Sequence, residues 1–135
     1  MASEARIISS LQLVKGNLTY QSQPTAFTAD VATAKGPTPG AVTVTTSGTT
    51  IDLGELSALG GLCRVMNIDS TNYVEYGPHD GSAFHPMGEI LPGESFVFRL
   101  SRNLLYGQSG TAETHTLRFR ANTASVIVLV EAFDP

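Results

Sequence analysis

Three short runs between residues 62 and 102 constrain the fold more than any other feature of the chain. They are Leu62 to Ile68, Asn72 to Tyr76 and Ser95 to Leu100, and each is fenced by turn residues. In the third, Phe96, Phe98 and Leu100 alternate with Val97, Arg99 and Ser101. A period of two places alternate side chains on opposite faces, the pattern of a strand with one buried face. Asp69-Ser70-Thr71-Asn72 separates the first two runs, and Pro92-Gly93-Glu94 launches the third.

The flanking sequence extends the same pattern. From Thr116 to Asn122, Leu117, Phe119 and Ala121 alternate with Arg118 and Arg120. The run Ser125–Phe133 is apolar on both faces, with Val126, Val128 and Val130 on one and Ile127, Leu129 and Phe133 on the other. A strand buried on both sides needs a second cover. Either a partner subunit supplies it, so that a homo-oligomer is expected, or the N-terminal segment of the same chain does. Upstream, Leu11, Leu13, Leu18 and Tyr20 flank Gly16-Asn17 and predict a first hairpin, with a short amphipathic helix from Ser3 to Leu11 as the competing assignment. Phe27, Ala29 and Val31 predict a further strand, as do Val42 with Val44 and Ile51 with Leu53. One helical turn is expected within Asp52–Leu59, and a short strand within Met87–Leu91.

Two stretches read as connections. Lys35 to Gly40 carries Pro37 and Pro39, which remove backbone donors and fix φ, so it is expected to leave any ladder and form a corner or an exposed arm. Residues 103–114 form a long polar loop that opens with Leu104, Leu105 and Tyr106. Those three either dock on a partner or cap the open end of the fold. Short strands at turn spacings of roughly 8–12 residues point to an all-β, antiparallel β-sandwich, jelly-roll-like, of eight to ten short strands with at most one short helical turn. A single domain over residues 1–135 is expected, with 1–24 as an extended arm or that first hairpin.

Composition narrows function by exclusion. The formal net charge of −4 lacks the basic excess of a nucleic-acid binder. Arg99, Arg102, Arg118 and Arg120 gather near the C-terminus, which suits solvated faces, ion pairs or contact with an acidic neighbour. Cys63 is the one cysteine and lies in an apolar run, so it is expected to be a buried, inert thiol. The opening Met-Ala-Ser-Glu-Ala-Arg lacks the features of a signal peptide, and no apolar run approaches a membrane helix. Folding in a reducing cytoplasm is therefore expected, with no membrane partner.

Catalytic patterns are weak. His79, Asp80 and His85 have metal-ligand chemistry, but they sit in a Gly- and Pro-rich turn without a second ligand pair, so turn chemistry is the better account. No Gly-x-Ser-x-Gly elbow and no glycine-rich phosphate loop occurs, and Glu75, Asp80, Glu89 and Glu94 are spread over strand ends. No catalytic residue, metal ligand or cofactor is assigned. A glycan-binding module, using Tyr73, Tyr76 or Tyr106 as an aromatic platform, is an alternative.

The run Asn67-Ile68-Asp69-Ser70-Thr71-Asn72-Tyr73-Val74-Glu75-Tyr76-Gly77, the turn Pro92-Gly93-Glu94-Ser95 and the strand pair from Arg118 to Val130 together resemble small β-sandwich virion proteins of tailed bacteriophages. The resemblance covers the chain from Leu62 onward. It implies a non-enzymatic structural protein, either a capsid decoration (cement) protein that binds between capsomers or a neck or tail component forming a ring. It also implies localisation to the virion, with the major capsid protein or other virion subunits as partners. The expected interface residues are Ile7 and Ile8 in the N-terminal arm, Pro37 and Pro39 at the corner, Leu104, Leu105 and Tyr106 in the loop, and Arg118 and Arg120.

Overall fold

The computed structural model describes residues 4–31, 35–104 and 116–135. Among these, regular structure is entirely β, in twelve strands. The backbone divides into two compact units, residues 1–32 and 33–135. The expectation of one domain over 1–135 thus meets a division after residue 32. Four of the twelve strands belong to the first unit and eight to the second, which is why the total exceeds the expected eight to ten.

The first unit is a two-stranded ribbon. Strand β1 (Ala5–Ser9) pairs with β4 (Thr25–Ala29), and β2 (Gln12–Lys15) pairs with β3 (Leu18–Gln21), both antiparallel. Strand β1 takes the place of the competing helix among the described residues of 3–11. Gly16 turns the tip with φ of 56°, a conformation that glycine adopts without a Cβ clash. The ladders are joined where the Ser22 amide donates to the Leu11 carbonyl. Ser9 lies opposite Thr25 while Gln12 lies opposite Gln21, so the return strand carries one extra residue, a bulge at the join. No described residue of this unit is buried.

The second unit is a β-sandwich. One sheet has the order β10-β7-β12-β5 and the other β6-β11-β8-β9. These strands are β5 (Thr38–Val44), β6 (Thr49–Thr50), β7 (Leu62–Asn67), β8 (Val74–His79), β9 (Gly88–Ile90), β10 (Ser95–Arg99), β11 (Thr116–Ala121) and β12 (Val126–Ala132). All pairings are antiparallel. The sheet orders establish a sandwich and do not by themselves carry the finer jelly-roll description.

The core is built from the inward positions of both sheets. Val65, Val126, Val128 and Val130 come from the first sheet, and Val74, Ile90, Leu117 and Phe119 from the second. Phe96 of the first sheet and Phe119 of the second both approach the Tyr76 ring, with centroids at 5.0 and 6.3 Å. Such tilted pairs favour the quadrupole geometry of aromatic rings. The segment after β6 contributes Ile51, Leu53, Leu56 and Leu59 to the same core. It holds a hydrogen-bonded turn, Leu56 N to Leu53 O at 3.1 Å, but no helix. Its backbone is held instead by buried Asp134, whose Oδ1 accepts from Ser57 N at 2.8 Å.

The corner at Lys35–Gly40 departs from expectation. Pro39 lies inside β5, opposite Glu131, and Gly40 lies opposite Val130. Strand β5 is the edge of its sheet. An edge strand needs donors on one side only, so a proline whose missing N–H faces outward costs no ladder bond. Pro78 in β8 is accommodated differently: beyond the end of the β8–β9 ladder at Tyr76 and Gly88, the segment after β8 supplies the donor, with His85 N donating to the Pro78 carbonyl at 2.9 Å.

Candidate interaction surfaces

The stretch that carries the family resemblance folds into a hydrogen-bonded corner. Asn67, at the end of β7, is completely buried. Its Nδ2 donates to the carbonyls of Asn72 (2.9 Å) and Ile90 (3.0 Å), and its Oδ1 accepts from Asp69 N (2.9 Å). Its backbone N donates to Glu94 O and its carbonyl accepts from Gly93 N. One residue therefore ties β7 to the 69–72 turn and β9 through its side chain, and to the Pro92-Gly93-Glu94 turn through its backbone. Asp69 accepts from the amides of Asn72 and Thr71 at 2.6 and 2.7 Å. These bonds hold its carboxyl below the ordinary aspartate range. Val74 sits in the core, and a Cβ on Gly77 would collide with the His85 carbonyl. The motif residues thus fix architecture.

The turn with metal-ligand chemistry also closes on itself. His85 Nε2 lies 2.8 Å from Asp80 Oδ2, and Gly81 N donates to His79 Nδ1. Asp80 Oδ1 accepts from Ala83 N and Ser82 N at 2.7 and 2.8 Å. The Ala83 amide, then the His85 side chain, then the Ser82 amide hold the Asp80 carboxyl well below its ordinary range. Among the described residues, no group of three His, Cys, Asp or Glu side chains is placed to hold a metal ion. Cys63 is buried, and desolvation pushes its thiol up to about 12.

The residues expected at an interface fall into different settings. Arg118 donates to the carbonyls of Ser47 and Gly48. Arg120 pairs with Glu75 through Nε at 2.8 Å and lies 5.1 Å above the Phe84 ring. Both guanidinium groups therefore serve the outer face of the β6-β11-β8-β9 sheet within their own chain. Leu104 is half-buried and packs on the core, while Leu105 and Tyr106 lie outside the described residues. Pro37 and Pro39 are exposed beside β12's C-terminal end. Ile7 is half-buried opposite Phe27, and Ile8 is exposed on the other face of the ribbon.

The outer faces of the two sheets differ in chemistry. The β6-β11-β8-β9 sheet presents Arg118, Arg120, Glu75 and His79. The β10-β7-β12-β5 sheet presents Met66, Val97, Ile127, Leu129 and Ala41, with Arg64 and Glu131 paired among them at 2.7 Å. Val97, Ile127 and adjoining Ile68 are 42–46% exposed. The ribbon carries a second apolar face. Leu13 lies opposite Tyr20, Leu18 opposite Lys15, and Leu11 follows on the same side. These four apolar side chains are 46–62% exposed. The twofold apolar pattern of 125–133 signals the sheet face. Nothing in the sequence signals that the ribbon lacks a core of its own.

Comparison with known proteins returns no matching family model, no matching curated protein and no matching solved structure.

Proposed function

We propose that this chain is a non-enzymatic structural virion protein of a tailed phage, a capsid decoration protein that stabilises the head by binding between capsomers. The observation that supports this most is the pairing of a hydrogen-bonded sandwich with two exposed apolar β faces. The polar side chains with chemical potential are engaged in structural bonds: His85 with Asp80, Arg120 with Glu75, and Asn67 with three backbone groups. What the surface offers is apolar area for burial against other subunits. A protein that binds the assembled lattice and not free capsomers raises particle stability by mass action. The expected partners are the major capsid protein and further copies of the chain.

Sedimentation of the purified chain with emptied capsids of the encoding phage tests this. Saturable co-sedimentation at a lattice-limited stoichiometry, with a raised capsid melting temperature, supports decoration. A discrete ring that leaves capsids untouched moves the assignment to a neck or tail component.

A further inference from the structure

We infer that β10 is an assembly edge, and that it pairs antiparallel with β10 of a second copy of this chain, Val97 opposite Val97 across a twofold axis. This names the contact between copies in the decoration reading, and it rests on that reading only in taking the chain as an assembly subunit.

The β10–β7 ladder fixes which backbone groups β10 leaves open. Asn67 N donates to Glu94 O at 3.0 Å and Leu100 N donates to Gly61 O at 2.9 Å, on either side of the Ser95–Arg99 register with β7. Antiparallel pairs alternate between bonded and non-bonded, so Phe96 and Phe98 turn their N–H and C=O groups toward β7. Those of Ser95, Val97 and Arg99 turn away from it. Strand β10 ends its sheet, and no described backbone group meets this row. The other edges of the sandwich are blunted. In β5, Pro39 supplies no N–H, and the Thr43 carbonyl already accepts from Thr49 Oγ1 at 3.3 Å. Strand β6 has two residues, and β9 has three between Pro86 and Pro92. Sheets blunt the edges that stay free, so the long unblunted edge is the one built to pair.

The side chains of β10 suit a second β10. In an antiparallel pair centred on Val97, Ser95 meets Arg99 and Phe96 meets Phe98. No like charges stand opposite each other, and each ring on the core side gains an aromatic neighbour. Phe96 lies 5.0 Å from the Tyr76 ring of the opposite sheet and Phe98 lies 5.3 Å from Phe96, yet both residues are only half-buried. Inward aromatics left half-buried mark a core that is open at this edge, and a second β10 closes it. Arg99 is tied to the Gly60 carbonyl at 2.9 Å, in the segment leading into β7, so its charge is held off the open row. A symmetric pair of this kind needs one self-complementary strand and closes as a dimer.

The test uses the full-length chain, for which light scattering is expected to give a dimer. Val97→Pro removes an open N–H, and Val97→Lys sets two ammonium groups opposite each other; both leave the β7 bonds of Phe96 and Phe98 in place. Each is expected to weaken association at least ~tenfold, with the melting of the dilute chain unchanged. Val97→Cys chains are expected to oxidise to a covalent dimer at least ~tenfold faster than Ile127→Cys chains. Bonded antiparallel pairs stand about 5.5 Å apart at Cα, within disulfide reach. Cys63 is buried and stays out of the reaction. A monomer mass at every concentration overturns the inference, as does association undiminished in a folded Val97→Lys chain. Equal oxidation of the two cysteine variants overturns it too, and decides the matter even where Val97→Pro and Val97→Lys do not fold. Weakened association without the Val97→Cys cross-link also overturns it, since β10 then pairs with a different strand. Capsid co-sedimentation scores the decoration reading separately. A monomer that saturates capsids defeats this inference alone, and a β10 dimer that ignores capsids defeats decoration alone.

Discussion

The ribbon and the sandwich use the same alternating grammar with opposite results. Phe27 in β4 and Phe119 in β11 are both strand aromatics, yet Phe27 is 46% exposed and Phe119 is completely buried. Alternation sorts side chains to a face, but only a second sheet turns that face into a core. The sandwich supplies both layers from one chain. The ribbon supplies one, and its apolar face meets no opposing layer within the ribbon.

Substitutions can break this contrast, beginning with the largest expected effect. Phe119→Ala removes a ring packed between the sheets against Tyr76 and is expected to cost about 3–5 kcal/mol in chemical denaturation. Asn67→Ala strands the buried Ile90 carbonyl and frees the 69–72 turn, with an expected cost of about 2–3 kcal/mol. Gly77→Ala forces a Cβ against the His85 carbonyl and is expected to cost roughly 1–3 kcal/mol. At the small end, Phe27→Ala and Arg120→Met are each expected to change free-chain stability by under about 1 kcal/mol. The first removes a half-exposed ring from the ribbon, and the second removes a partly exposed ion pair. A Phe27→Ala cost equal to that of Phe119→Ala would erase the distinction between the units.

Titration sharpens it further. Burial holds the Cys63 thiol neutral up to about 12, against an unfolded value of 9.0. Below pH 9 both states keep the proton, so stability is unaffected. Above it the unfolded chain ionises first, and stability falls as pH rises from 9 toward 12. A thiol reagent at neutral pH should therefore label Cys63 at the rate of sandwich opening. Asp80 behaves in the opposite sense. Its depressed carboxyl adds stability above the ordinary aspartate value, and that contribution is lost as pH falls through the acid range. Asp80→Asn should flatten the acid limb of a pH–stability curve without altering the alkaline one.

Much of the sandwich was legible in the sequence. The alternation in 62–68, 95–100 and 116–122 marks β7, β10 and β11 to within a residue or two, because each has one wet face and one dry face. Proline misled the reading at two places. Pro39 and Pro78 sit within strands; the edge position of β5 permits the first, and a donor from His85 N to the Pro78 carbonyl accompanies the second, properties of neighbouring segments that local sequence does not carry. The partners of Arg118 and Arg120 were equally hidden. Ser47 and Glu75 lie 71 and 45 residues away, so a pattern that placed both arginines outward could not show that their charges are used at home. Asn67 was recognised as part of a motif, but its burial and three bonds depend on β9 and the 69–72 turn arriving together.

Residue-resolved amide hydrogen exchange, run on the full-length chain at high dilution and again when self-associated or capsid-bound, tests the central claim most directly. The contrast between the units predicts strong protection of 62–67, 116–121 and 126–132 in every state. It predicts that amides of 5–29 exchange freely in the dilute chain and gain protection on assembly. Protection of 5–29 equal to that of β12 in the dilute monomer would contradict it, because the ribbon would then be stable without a partner.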